Sequence, residues 1–367
     1  MKTADVLIIG GGIIGCSIAA ELSRAQIRVL LLERDRIGCE ASGEAAGMLA
    51  PQAENIPSGP FLDHCLKSRE MFGPLQTLLK EETGIDIEYI HSGILYLLLT
   101  EEDEFRGKRM FEEQRARGLR VERWDRQQVL EAEPQVTPAV RGALYFPDDH
   151  QVHNARMVRA LSLMGARRGV AIMEGTPVTG LVRDKDRVLG VRSLTETYYA
   201  GKVVIAAGAW SGGIGELPDQ QIPIRPARGQ LLSLETRGDF FRHILYTQQA
   251  YLVPRLNGEL IVGSTVEFAG FEKHVTVGGI EALLASARRL VPTLGSRPIL
   301  KAWAGFRPWT ADELPYLGEV SGSPGLYVAS GHYRNGILLA PVTGQLMAEL
   351  LLEEQSSLPL DPFRLHR

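Results

Sequence analysis

A mixed α/β chain is what the sequence predicts: a parallel-sheet unit at both ends, interrupted by a second unit with a mainly antiparallel sheet and flanking helices. Three observations predict it. A short β-rich run, a glycine turn, a helix and a second apolar strand follow one another within residues 5–32. The middle of the chain is a succession of short β-rich runs and turns. The end returns to a buried strand followed by a long helix. At 367 residues the chain is long enough for two domains and buries a large core without staples.

The elements follow in order. Asp5 to Ile9 is a strand, Ile13 to Arg24 a helix and Arg28 to Leu32 a strand, forming a βαβ unit. Phe61 to Glu82 is an amphipathic helix ending before Gly84, with a kink or break expected at Gly73-Pro74. Tyr89 to Thr100 is β-rich, and Glu101 to Arg117 is a charged helix whose charges read as a solvated face. Asn154 to Arg168 is helical. Val178 to Val182, Val188 to Ser193 and Tyr198 to Ala200 form a meander, and Val203 to Ala207 is an all-apolar strand ending at Gly208. Pro223 to Gly263 is β-rich, with a hairpin signal at Leu256 to Glu259. Gly279 to Leu290 is helical, Leu326 to Ala329 is a buried strand, and Pro341 to Glu354 is a helix with proline in its first turn. The expected borders are 1–85, 143–220 and 305–367 for the end unit, and 86–142 and 221–304 for the inserted one.

Composition narrows the function. A formal charge of -4 and a pI near 6.1 provide no basic field for nucleic acid or anionic lipid, so an acidic substrate needs locally placed arginines. Three cysteines, Cys16, Cys39 and Cys65, match neither a disulfide framework nor a zinc motif, and fit a reducing cytoplasm. Val6 to Ala20 is apolar but glycine-rich, bracketed by Asp5 and Glu21, and short for a membrane span. Asp148, Asp149, His150 and His153 lack the recurring ligand spacing of a metal site.

Gly10-Gly11-Gly12-Ile13-Ile14-Gly15 satisfies G-x-G-x-x-G directly after a strand and at the start of a helix. Gly10 makes the turn, Gly12 admits a diphosphate close to the backbone, and Gly15 lets helix and strand pack. The helix end then favours the diphosphate charge. Glu33 ends the second strand, where a carboxylate accepts from ribose hydroxyls. This is a Rossmann-like dinucleotide site. Arg34 and the small-residue stretch from Ala41 to Met48, where a simple NAD domain would continue with a regular crossover helix, favour FAD over NAD. So does the turn Ala207-Gly208-Ala209-Trp210 after a buried strand, although a plain core strand reads the same way.

With Ala45-Ala46-Gly47-Met48-Leu49, Trp303 to Pro308 and Gly331 to Pro341 added to the glycine motif, the chain resembles the D-amino-acid oxidase family. Within it, the chain is similar to the bacterial glycine oxidases associated with thiamine biosynthesis, over essentially its whole length. The resemblance implies that Ile13, Ile14, Glu33, Arg34, Ala41, Ser42, Ala46, Gly47, Met48 and Val178 line FAD, together with the loop His332, Tyr333, Arg334, Asn335, Gly336, Ile337 and Leu338. It implies that Arg307 clamps a substrate carboxylate, that Tyr251 hydrogen-bonds the same carboxylate, and that Arg334 stands at the site mouth, with Met48 near the substrate. A soluble homo-oligomer, a tetramer in the family, is implied too. Three residues depart from the pattern: Gln249 in place of a histidine, Val266 in place of a methionine, and Glu44 within a run of small residues.

The chemistry implied is oxidative deamination. Hydride passes from the α-carbon of glycine, sarcosine or D-alanine to the flavin, the imino acid hydrolyses to glyoxylate or another 2-oxo acid and ammonia, and dioxygen becomes hydrogen peroxide. Positioning does most of the work, and no dedicated base is needed. From the residues alone, Arg307 could equally hold an internal salt bridge to Asp312 or Glu313. The alternatives are an N-methyl amino-acid oxidase, a quinone-linked D-amino-acid dehydrogenase, and a non-catalytic or tRNA-modifying flavin module. No cysteine follows Cys65, so a flavin thioether near Arg307 is excluded. FAD is accordingly expected to be noncovalent: acid precipitation of the purified protein releases the yellow colour into the supernatant, and colour retained in the washed pellet would reveal a different linkage.

Overall fold

Hydrogen-bond pairing sorts the strands into two eight-stranded sheets and a two-stranded ribbon in a computed structural model that describes residues 2–214, 221–236, 240–353 and 355–367. At the centre of the first sheet, Thr3–Ile9 runs parallel to Val29–Leu32 on one side and to Thr197–Ile205 on the other. Ala171–Met173 and Leu326–Ser330 extend the parallel set, and Tyr316–Glu319 closes one edge antiparallel. Side chains alternate along these strands. Val6, Ile8, Leu31, Val204 and Tyr327 face a core shared with the helices Ile13–Leu22, Asn154–Arg167 and Gly336–Glu353. Leu7, Ile9, Leu30, Val203 and Val328 face a second core completed by Leu181, Val188 and Val191 of the meander. Both faces are therefore covered, one by helices and one by antiparallel strands, which is why the buried stretches Val6 to Ile9, Val29 to Leu32, Val203 to Ile205 and Leu326 to Ala329 are apolar.

The second sheet runs in the order Ile299–Trp309, Arg225–Glu235, Glu259–Gly263, Tyr251–Pro254, Ile244–Tyr246, Ile94–Leu98, Gly142–Phe146, Glu122–Asp125. Its pairs are antiparallel except for Ile244–Tyr246 beside Ile94–Leu98. The hairpin signal at Leu256 to Glu259 closes the turn between Tyr251–Pro254 and Glu259–Gly263, where Gly258 adopts φ +82°. Helix Val277–Leu290 covers this sheet through Leu283, Ala287 and Leu290.

Several expectations shift. The helix expected over 61–82 is two helices, Pro60–Glu70 and Phe72–Thr83, and the break falls at Met71 instead of Gly73-Pro74. Pro74 then lies in a first turn, where a missing N–H costs nothing. Tyr198–Ala200 and Val203–Ala207 merge into one strand, Thr197–Ile205. The last helix begins at Gly336, so Pro341 lies inside it and not in its first turn; the expected end at Glu354 lies outside the described residues. Burial of Ile337, Leu338 and Leu339 extends the helix past the proline's preference. This helix is long and apolar enough to cross a bilayer, yet 67% of it is buried inside the protein. Strand Ile299–Trp309, with its first four residues exposed, and the short helices Ala41–Glu44 and Arg126–Ala132 carry no clear period and were not anticipated.

Gly15 fixes how closely the first helix approaches the first strand, since a Cβ there would stand 2.0 Å from the carbonyl oxygen of Gly10. Gly15→Ala is expected to lose about 1–3 kcal/mol in urea unfolding from overpacking. Gly278→Ala, in a first helical turn with nothing within 4 Å, is expected to gain about 0.4–1 kcal/mol. Equal effects at the two positions would show that backbone contact is not the cause.

Candidate active site

Both sheets contribute to one cavity of about 370 Å³. It begins where the first strand ends. Gly10 adopts φ +110°, and a Cβ there would stand 2.5 Å from the carbonyl oxygen of Ala206, so the wall is backbone against backbone. Glu33 is fixed at the end of its strand: one carboxylate oxygen accepts from Gly11 N at 2.6 Å and the other from Asp35 N at 2.8 Å. Each oxygen keeps a lone pair for a further donor. Ser42 Oγ accepts from Ile13 N at 2.9 Å, tying the small-residue segment to the start of the first helix. The Arg34 guanidinium lies over the Trp210 ring, 4.5 Å from its centroid.

The strand pair Arg225–Glu235 and Ile299–Trp309 presents Arg307. Gly229 makes the room, since a Cβ there would stand 2.2 Å from Arg307 Nη1. Arg307 is half-buried, with Nη1 donating to Thr265 O at 3.1 Å and Nη2 to Ser264 Oγ. Among the described residues no carboxylate pairs with it. Asp312, one of the two internal partners left open by the sequence, is held instead by Arg367 at 2.7 Å. Tyr251 is 8% exposed, and its ring lies where a Cβ on Gly263 would collide with it at 2.5 Å. Its hydroxyl makes no hydrogen bond among the described residues.

Arg334 stands differently. Its guanidinium pairs with Glu54 at 2.9 Å and donates to Tyr246 Oη at 3.1 Å. The Glu54 carboxylate drives its pKa up, while burial raises those of Tyr246 and Tyr333, so the arginine stays charged and both hydroxyls stay protonated near neutrality. The Glu54–Arg334 pair is neutral, whereas Arg307 has no anionic partner among the described residues.

Helix Gly336–Glu353 begins at the cavity, after the loop from Gly331. His332 is 2% exposed; its Nε2 meets Thr343 Oγ1 at 3.1 Å, and its Nδ1 has no partner. Burial lowers its pKa to about 3, so it is neutral across the physiological range.

The cavity gathers most of the residues singled out from sequence. Gly10, Gly12, Ile13, Ile14, Glu33, Arg34, Ala41, Ser42, Ala46, Gly47, Met48, Val178, Ala207, Gly208 and Trp210 line it, as do Tyr251, Arg307 and the loop from His332 to Ile337. Gly15 packs against Gly10 and Leu338 faces the core, so neither lines it. Glu44 lines it, with its carboxylate 3.9 Å from Lys273, whereas the exposed Gln249 and Val266 do not. Glu54, Ser264 and Gly229 were missed. Their roles depend on partners far along the chain, 280 residues apart for Glu54 and Arg334, and no local pattern announces them.

The family model described as FAD dependent oxidoreductase matches residues 5–350. The chain belongs to this family. It is 36% identical to glycine oxidase of Geobacillus kaustophilus over 366 residues, covering 99% of this chain and 97% of that protein. The crystal structure of the glycine oxidase from Geobacillus kaustophilus superposes with a TM-score of 0.96 at 35% identity, covering 100% of this chain and 99% of that one. The chain is also 38% identical to the bifunctional protein ThiO/ThiG of Nostoc sp. over 370 residues, covering all of this chain but 55% of that longer relative.

FAD fits this cavity. Glu33 keeps acceptor capacity at the strand end, backbone walls at Gly10 and Gly47 admit a ligand close to the main chain, and the buried Nδ1 of His332 is unpartnered. Glu33, Ser42, Trp210 and the His332–Ile337 loop are the residues that would hold it.

Burying His332 as a neutral ring ties stability to pH. The unfolded chain takes up a proton below about pH 6.5, which the folded chain refuses until about pH 3. This contribution is intact above pH 6.5 and is lost as pH falls, at up to about 1.4 kcal/mol per pH unit. Urea unfolding of His332→Asn between pH 6 and 4 is expected to show a correspondingly shallower slope than the parent. Parallel slopes would mean that His332 protonates freely in the folded state.

Proposed function

We propose that this protein oxidatively deaminates glycine and other small amino acids, sarcosine and D-alanine included, with FAD as cofactor and dioxygen as final acceptor. One observation carries the reading: a half-buried guanidinium, Arg307, faces the cavity with no carboxylate to pair with among the described residues. A planar fork in that state takes a carboxylate through two charge-assisted hydrogen bonds. The unengaged Tyr251 hydroxyl, presented by the neighbouring strand pair, donates to the same group. With Arg334 neutralised by Glu54, Arg307 is the arginine of this pair left to take a carboxylate, which suits a monocarboxylic amino acid.

FAD, when bound, supplies the acceptor for the hydride lost from the α-carbon. The chain's own residues hold the substrate: Arg307 and Tyr251 fix the carboxylate, so the α-carbon and amine have one orientation. Apolar walls at Ala46, Met48 and Phe306 limit water around the reacting carbon. The amine is oxidised as the neutral base. The imino acid leaves and hydrolyses to glyoxylate, or another 2-oxo acid, and ammonia, while reoxidation by dioxygen yields hydrogen peroxide. A covalent-flavin N-methyl amine oxidase is disfavoured, because no cysteine lines the cavity among the described residues.

A role in supplying thiamine biosynthesis follows the kinship with the ThiO/ThiG protein. A cytoplasmic location agrees with three free thiols, Cys16, Cys39 and Cys65. Assembly as a homo-oligomer would cover the exposed apolar side chains Val266, Phe268, Phe271 and Val277. The five-segment division into a cofactor unit and a substrate unit is kept, with strands Gly142–Phe146 and Ile299–Trp309 given whole to the substrate unit.

The test compares glycine with a small amine lacking a carboxylate. Arg307→Ala is expected to lower kcat/KM for glycine by about 2–4 kcal/mol of transition-state stabilisation, with flavin still bound and the amine unaffected. Arg307→Lys recovers only part, because it keeps the charge and loses the fork. Tyr251→Phe loses about 0.5–1.5 kcal/mol with the same selectivity. Equal loss for both substrates would make Arg307 structural and remove the basis of the reading.

A further inference from the structure

Arg255 follows directly on the strand Tyr251–Pro254 and is 9% exposed, and it forms no ion pair with any described carboxylate. Such a residue is expensive to bury unless its donors are used. They are used on the main chain of the cavity wall. Nη2 donates to Ala46 O at 2.8 Å and to Asn154 Oδ1 at 3.1 Å, and Nη1 donates to Val152 O at 2.8 Å. The amide of Asn154, itself 3% exposed, donates in turn to Ser42 O at 2.7 Å and Gly43 O at 2.9 Å. Ser42 closes the series on Ile13 N. A buried polar chain thus runs from the substrate sheet, through the segment 42–47, to the start of the first helix.

The end of the cavity served by this chain is identifiable. Ala46 packs in one apolar cluster with Tyr246, Tyr251 and Val253, beside the arginine clamp. The substrate is oxidised there, so the redox-active ring of FAD must lie at the same end. Gly47 forms the wall between: at φ +74°, a Cβ would stand 2.1 Å from Val152 O and 3.1 Å from Arg255 Nη2.

We propose that Arg255 is a positioning residue for the flavin ring, holding the Ala46–Met48 wall through main-chain carbonyls and placing a buried positive charge behind it that favours the reduced, more negative cofactor. The charge is present at neutrality: burial lowers the guanidinium pKa only to about 10. Glu88 and Glu259 offset this charge only in part and from outside ion-pair distance, and a buried cation acts over several ångströms. This inference rests on the proposed function, with FAD in the cavity and the substrate at its Arg307 end, and is independent of which amino acid is oxidised.

Two variants separate the wall from the charge, and both are read without substrate. Arg255→Met keeps length and bulk while removing the fork and the charge. FAD added back to its apoprotein is expected to bind at least ten times more weakly. In the FAD-saturated protein, reductive titration is expected to show the reduced form disfavoured about tenfold, a drop of about 30 mV in the two-electron midpoint. Asn154→Ala releases Ser42 and Gly43 but keeps the charge, so FAD affinity falls while the midpoint stays. Arg255→Lys restores the midpoint more fully than the affinity. Wild-type FAD affinity in folded Asn154→Ala overturns the positioning role, and an unchanged midpoint in Arg255→Met overturns the electrostatic one. Should Arg255→Met fail to fold, the Lys and Asn154→Ala pair still decides: equal midpoints with equal losses of affinity support the proposal, and a midpoint that drops in Asn154→Ala refutes it.

Discussion

A guanidinium held without an anion is the constraint on which this site turns. Arg307 can remain unpaired because strand pairing with Arg225–Glu235 holds its backbone, Gly229 leaves space for its fork, and Ser264 and Thr265 occupy some of its donors. A free acid nearby would collapse onto it, and the surroundings prevent this by engaging the acids elsewhere. Asp312 is committed to Arg367, Glu54 to Arg334 and Glu267 to Arg228. Each pairing keeps a carboxylate away from Arg307, whose charge the proposed function assigns to a ligand. Selectivity here is thus a matter of where the carboxylates of the protein are already spent.

The same logic of commitment organises the cofactor half. Glu33 is oriented by two main-chain amides, so its position does not await a ligand. The glycines at 10 and 47 let carbonyls approach closer than any side chain would permit, so the cavity wall at these two points is backbone. A wall of this kind is hard to mutate gradually: the conformation and the contact both require glycine.

Much of this was legible in the sequence, for local reasons. The glycine motif, the strand before it, the helix after it and Glu33 at the end of the next strand lie within one short segment and carry their own periodicity. The hairpin at Leu256 to Glu259 announces itself by its turn residues. Arg307 could be singled out but not decided, because Asp312 is close in sequence and only the fold hands it to Arg367 at the chain end. The start of the last helix was misplaced because Pro341 reads as a first-turn signal, whereas burial of Ile337 to Leu339 is a property of the assembled core. Strand Ile299–Trp309 escaped because its exposed half carries no apolar alternation. Glu54, Ser264 and Arg255 act through partners that only tertiary structure supplies.

The strand order carries a consequence for folding. The central strand Thr3–Ile9 pairs with Thr197–Ile205, and that strand is flanked in turn by Leu326–Ser330. The glycine turn is therefore only half of a binding site until the loop from His332 to Ile337, far along the chain, is in place as its other side. Until those pairings form, the apolar first strand and helix lack their partners, and parallel pairing over such separations is slow. A cofactor that fills this cavity therefore ties distant segments of the chain together and stabilises the assembled fold by mass action.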